Sequence, residues 1–99
     1  MDEQAGMKEA VAKIRVLVVD DQPIMRIGIA AIIEATPDMT TVAQAGSGEE
    51  SVELYEKHLP DITLMDLRLP GMSGVEAIHT VIARHPEAKF VVLDRKSVV

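Results

Sequence analysis

Ile14-Arg15-Val16-Leu17-Val18-Val19-Asp20-Asp21 is the stretch on which the reading of this sequence turns. Its apolar residues run almost unbroken and then stop at two carboxylates. An alternating pattern would suit a strand with one face in water. A continuous β-branched and leucine run suits a strand covered on both faces, as in a parallel sheet. Pro23, just past the acidic pair, stands where the first turn of a helix tolerates proline, with Asp20 and Asp21 ahead of it as possible caps. A strand followed by a helix is the natural reading.

Working outward, the chain repeats that unit. The segment from Ile24 to Thr36 has helical length and is apolar almost all round (Ile24, Met25, Ile27, Ile29, Ile32, Ile33), so it is expected to be covered on more than one side. Pro37 ends it. Thr40 to Ala45 reads as a second strand, and Gly46-Ser47-Gly48 as a turn. Ser47 or Gly48 leads into a helix reaching about His58, whose early Glu49, Glu50 and Glu53 suit the helix dipole. Leu59-Pro60 breaks it. Asp61 to Met65 is a third strand that ends in Asp66, and the loop from Leu67 to Gly74 contains a Pro70-Gly71 turn. A third helix spans about Gly74 to Arg84, with Val75, Ile78, Val81 and Ile82 at helical spacing, and Pro86 stops it. Ala88 to Leu93 is a fourth strand. This alternation implies an α/β fold with a parallel sheet, right-handed crossovers and helices on both faces.

Composition sets the outer bounds. Ninety-nine residues allow one domain, and a chain of this size buries only roughly 60–65% of its unfolded surface. With 47% hydrophobic and 26% charged residues it is globular in character, and with no cysteine it holds neither a disulfide framework nor a thiolate metal site. Residues 1–13 form a polar lead whose start, MDEQAGMKEA, is neither a signal nor a transit peptide. No apolar run approaches the ~18 residues that span a bilayer, so a cytoplasmic location and no membrane partner are expected. A formal net charge of −6 argues against a nucleic-acid surface within this sequence.

The chemistry is expected beyond the carboxyl ends of the strands, where open α/β sheets form their crevice. Strand one ends in Asp20-Asp21 and strand three in Asp66. If those strands are neighbours, three carboxylates converge, an arrangement that costs electrostatic energy and suits a hard divalent cation, Mg²⁺ above all. The competing reading makes Asp20 or Asp21 merely a cap for the following helix.

At these residues the sequence resembles a known family. Val16-Leu-Val-Val-Asp-Asp-Gln-Pro23 is similar to the first strand and acidic pair of bacterial response-regulator receiver domains. Pro60-Asp-Ile-Thr-Leu-Met-Asp66-Leu-Arg-Leu-Pro70-Gly-Met-Ser-Gly74 is similar to the segment around their phosphoacceptor. Pro23-Ile-Met-Arg26-Ile-Gly28-Ile resembles the subgroup whose receivers usually precede a LuxR-type helix-turn-helix DNA-binding domain. The resemblance spans Ile14 to about Leu93. It implies a flavodoxin-like (CheY-like) doubly wound sheet, here incomplete, with strand order 2-1-3-4 and three helices. It also implies that Asp66 takes a phosphoryl group from a sensor histidine kinase. Asp20, Asp21 and Asp66 would hold Mg²⁺ with the backbone carbonyl of Arg68, Asp21 as a direct ligand, and Pro70 and Gly74 would shape the loop that exposes Asp66. DNA would be a partner only through an output domain outside this sequence.

Two departures stand out. Receivers of this kind carry Ser or Thr just after strand four, whereas here Asp94 follows Leu93, and a carboxylate repels a phosphoryl group. Only six residues follow Leu93, fewer than the dozen or more that a parallel crossover needs. The last helix, strand and helix, with the family's Lys, are therefore expected to be lacking, and Lys96 is read as a solvated tail lysine. The expectation is a receiver cut short at residues 14–93 with a divergent tail at 94–99, weak in phosphorylation. Its bare fourth strand and apolar first helix would favour a homodimer or exchange of elements.

Other features carry less. His58, His79 and His85 are too scattered for a metal pair and read as surface helix residues. Gly46-Ser-Gly48 alone makes no phosphate loop, no Ser/Thr/Gly-rich loop for a flavin follows strand one, and Ser97-Val-Val99 is a scant carboxylate-capture motif. The chain is expected not to be an enzyme. Two alternatives stand beside the signalling module. One is a receiver-like interaction fragment that takes no phosphate. The other is a small Mg²⁺-dependent aspartyl-phosphate phosphotransferase, whose general acid would be an Asp two residues after the nucleophile, where this sequence has Arg68.

Overall fold

A computed structural model describes residues 12–93. The elements follow in the order β1 (Ile14–Val19), α1 (Pro23–Glu34), β2 (Met39–Ala45), α2 (Gly48–His58), β3 (Ile62–Asp66), α3 (Gly74–Arg84) and β4 (Phe90–Leu93). All the strand pairs are parallel, in the order β2-β1-β3-β4. The expected α/β class, strand order and three helices are therefore what the described residues form. None of the described helices is long and apolar enough to cross a membrane.

β1 is central because its sequence permits no other place. Val16, Leu17, Val18 and Val19 are each 0% exposed. Leu17 and Val19 face a layer built by α2 and α3, where they meet Tyr55, Met65, Ala77 and Val81. Val16 and Val18 face the other way, onto Ile33 of α1 with Ile29, Met39, Ile62 and Leu64 around them. Alternate side chains thus fill separate cores on the two sides of one strand. The β1–β2 register steps over Val42, so β2 is irregular where it leaves Thr41.

Coverage of α1 differs from expectation. Ala30 and Ile33 are buried, but Ile24 is 86% exposed and Ile27 and Ile32 are also largely in solvent. Among the described elements the helix rests chiefly on β2 and β1, so one stripe of its apolar ring is buried while Ile24, Ile27 and Ile32 are exposed. It also ends at Glu34, short of Thr36. The Ala35 N–H bonds the Ala31 carbonyl, and Thr36 donates its N–H to the Ile33 carbonyl, both at 3.0 Å, turning the chain into β2. The Glu34 carboxylate then accepts the Thr41 N–H at 2.6 Å and the Thr40 hydroxyl at 3.1 Å, clamping the end of α1 to the edge strand.

The other boundaries shift for similar local reasons. β3 begins at Ile62 because Asp61 serves the end of the sheet instead. Its N–H reaches the Arg15 carbonyl at 2.8 Å, and its carboxylate accepts the Arg15 N–H, also at 2.8 Å. Arg15 Nη1 adds a bond to the Leu59 carbonyl at 2.9 Å. β4 begins at Phe90, because Ala88 donates to the His85 carbonyl (2.9 Å) in the turn that closes α3. Val91 and Val92 lie on the outer strand and are 43% and 45% exposed.

The Glu34 clamp carries a sign. The two hydrogen bonds from β2, that from the Thr41 N–H foremost, hold its carboxyl below the usual carboxylate range. Its stabilisation is therefore present above the unfolded-state pKa and is lost as pH falls through the lowered folded value. In urea unfolding at neutral pH, Glu34→Gln should be less stable than the unaltered chain, and the difference should close in acid. An equal difference at both pH values would refute the clamp.

Candidate functional site

β1 and β3 are neighbours, and Val19 pairs with Met65. The next residue on each strand is an aspartate, so Asp20 and Asp66 emerge side by side at the carboxyl edge. Both are buried, at 1% and 0% exposure, while Asp21 beside them is open to solvent. One carboxylate oxygen from each of Asp20, Asp21 and Asp66 lies within 4.8 Å of the others. The convergence expected of these three residues is present.

Capping does not account for them. The residue before α1 is Gln22, whose side chain makes no capping bond, and Asp20 Oδ1 instead accepts the Gln22 N–H at 2.9 Å. Asp66 Oδ1 accepts the Arg68 N–H at 3.0 Å in the same i to i+2 pattern. Each buried carboxylate is thus oriented by the turn that follows its own strand. Two like charges less than about 5 Å apart repel by roughly 3 kcal/mol at an effective dielectric near 20. The donors are all carboxylate oxygens, two buried and one exposed, and they fit a hard, oxygen-seeking divalent cation.

The loop after Asp66 is shaped by close approach. A Cβ on Gly74 would stand 2.7 Å from the Asp66 carbonyl oxygen and 2.8 Å from the Leu67 α-carbon, so only glycine fits there. Ser73 starts α3 with a reciprocal capping box, accepting the Glu76 N–H at 3.1 Å while Glu76 accepts the Ser73 N–H at 3.0 Å. Pro70 is exposed at the bend, and Leu69 and Met72 turn back against the core. Arg68 is exposed. Asp94 and Lys96 lie outside the described residues. The last residue before them, Leu93, pairs with Asp66, so β4 delivers the chain to this same edge.

Several residues that hold the site carry no recognisable signal in the sequence. Glu49 satisfies a main-chain donor of the β3–α3 loop, accepting the Met72 N–H at 3.1 Å, and Gly48 packs against the Met72 carbonyl. Glu50 accepts the Gly46 N–H at 2.8 Å. Both glutamates stand in the first turn of α2, as the dipole reading expected, and each also secures a loop. Arg26 Nη1 donates to the Asp20 carbonyl at 2.9 Å. The histidines stay away from the acidic cluster. His85 departs from a plain surface role: it ends α3, stacks obliquely on Tyr55 and places Nε2 3.1 Å from Glu56 of α2.

Comparison with known proteins places this geometry in a family. A family model described as the response regulator receiver domain matches residues 16–98. The transcriptional regulatory protein DegU of Brevibacillus brevis is 41% identical over 81 residues, which are 82% of this chain and 34% of that protein. The chain therefore spans about a third of the length of the curated relatives it matches. A two-component response regulator of the LuxR family from Aurantimonas superposes with a TM-score of 0.80 at 36% identity, covering 84% of this chain and 59% of the other. The response regulator domain of Thermotoga maritima CheB does so with a TM-score of 0.77, also at 36% identity, over 83% and 60%.

The Gly74 contact can be checked directly. Gly74→Ala should destabilise the fold by about 1–3 kcal/mol, the usual cost of forcing an atom into a packed site. Gly28→Ala, where a Cβ meets nothing within 4 Å, should cost nothing of this kind. Equal unfolding midpoints for the two variants would contradict the close approach.

Proposed function

The chain belongs to the response regulator receiver family, and on that premise we propose that Asp66 is its phosphoacceptor, charged by a sensor histidine kinase. The observation that carries this reading is the meeting of Asp20, Asp21 and Asp66 at one strand edge. In the transfer, an Asp66 carboxylate oxygen forms a bond to phosphorus while the phosphorus–nitrogen bond to the kinase's imidazole breaks, and the imidazole leaves with that electron pair. Asp20 and Asp21, with Asp66 and the Arg68 carbonyl, would hold Mg²⁺, Asp21 as a direct ligand. When bound, the ion supplies charge neutralisation between carboxylate and phosphoryl oxygens. The Arg68 N–H orients the Asp66 carboxylate, and Pro70 and Gly74 shape the loop around it.

The receiver unit in this reading occupies residues 14–93, with the lead at 1–13 and the tail at 94–99 beside it. It works as a cytoplasmic regulatory domain, not an enzyme. Arg68 stands where an aspartyl-phosphate phosphatase would need its general acid, which disfavours that alternative. Similarity to DegU and to a LuxR-family regulator supports a transcriptional role, exerted on DNA through an output domain outside this sequence. The exposed Val91 and Val92 of β4 and the bare isoleucines of α1 support self-association as a homodimer or by exchange of elements. Light scattering should show a mass that rises with concentration, and a monomer throughout would refute this part.

Asp94 follows β4 where the family resemblance expects a hydroxyl, and this favours the second reading, an interaction module poor in phosphorylation. With Mg²⁺ and a small-molecule phosphodonor, mass spectrometry should show a small phosphoryl gain that is lost in Asp66→Asn. Asp94→Thr should raise it. A gain that survives Asp66→Asn overturns the phosphoacceptor assignment, and turnover of a phosphoester would restore the enzymatic alternative.

A further inference from the structure

Arg26 reaches back from the first turn of α1 to the strand ends. Its Nη1 donates to the main-chain carbonyl of Asp20 at 2.9 Å. The same nitrogen passes the bare α-carbon of Gly46, where a Cβ would stand 3.2 Å away. Its Nε is buried and has no hydrogen-bond partner among the described residues. A guanidinium held only by attraction to nearby carboxylates would turn its fork of donors toward them. This one leaves a buried donor unpaired and spends Nη1 on a peptide oxygen, so packing and the carbonyl bond dictate its place. Asp20 is consequently fixed at three points: its N–H bonds the Ala45 carbonyl at 3.0 Å, its carbonyl accepts from Arg26, and its Oδ1 accepts from Gln22.

We propose that Arg26 is a positioning residue that sets the span between the Asp20–Asp21 pair and Asp66, and thereby makes the cation site discriminate Mg²⁺ from Ca²⁺. This rests on the metal-site reading above. Mg²⁺ requires near-ideal octahedral geometry at short distances, whereas Ca²⁺ accepts longer bonds and variable coordination. Loosening the carrier of one carboxylate pair therefore penalises Mg²⁺ selectively. Charge alone predicts the opposite sign: removing a cation near three carboxylates should tighten both ions alike.

The test is calorimetric titration of Mg²⁺ and of Ca²⁺ into the ninety-nine-residue chain and its Arg26→Met and Arg26→Lys variants, with thermal unfolding of each as a check on folding. Arg26→Met should weaken Mg²⁺ about tenfold, the range seen when outer partners of metal ligands are removed, and leave Ca²⁺ nearly unchanged. Arg26→Lys keeps the charge and can offer one donor to the carbonyl, so it should recover part of the discrimination. Should Arg26→Met not fold, the comparison passes to Arg26→Lys, where a severalfold lower preference for Mg²⁺ supports the proposal and an unaltered one overturns it. Equal loss of both ions, tightening of both, or no change in a folded Arg26→Met also overturns it. If the unaltered chain binds neither ion, the metal-site reading fails and this proposal falls with it. If it binds Mg²⁺ but the variants keep the same preference, only the role of Arg26 fails.

Discussion

The two-sided burial of Val16 to Val19 is the constraint from which the rest of the structure follows. Each of these side chains gains roughly 1.5–3 kcal/mol by leaving water, and none can do so unless layers form on both faces of β1. Helices on both faces mean crossovers, crossovers mean parallel strands, and parallel strands put all their carboxyl ends on one edge. The run stops at Asp20, so the limit of the core is also the beginning of the site. One step in the sequence, valine to aspartate, separates the packing that holds the molecule from the carboxylates that converge at its edge.

Packing like charges together demands that they be held: each buried carboxylate is oriented by the turn after its own strand, and the β2–α2 segment ties those turns together. The β2–α2 connection bonds Asp20 through the Ala45 carbonyl and leaves room for Arg26 at Gly46. It reaches the opposite loop through Gly48 and Glu49. Two loops from different strands are thus tied to a third. Their spacing is set by main-chain hydrogen bonds, which are short and directional, and the carboxylates inherit it.

Most of the architecture was legible in the residues, for a physical reason. Largely apolar runs that end in aspartate recur at β1 and β3, and helices with glycine, serine or proline at their borders fill the gaps. The three aspartates could be named because strand ends in such folds converge. Arg26 and Glu49 could not be assigned their roles, since each answers a peptide group that only the folded topology brings near. The extent of burial on α1 was equally hidden. Its isoleucines look alike in sequence, and only the way α1 lies across β1 and β2 decides that Ile33 is covered while Ile24 is not. The ends of α1 and β4 moved by two residues because Ala35 and Ala88 take part in turns whose hydrogen bonds outweigh local propensity.

The opposite edge of the sheet has a character of its own. There Arg15 and Asp61 exchange backbone and carboxylate bonds, and Arg15 also secures Leu59 at the end of α2. At the carboxyl rim the hydrogen bonds from Gln22, Arg26 and Arg68 hold Asp20 and Asp66 in place against their mutual repulsion. A change of charge among the aspartates therefore falls first on those few bonds, before it can reach any contact of the far rim.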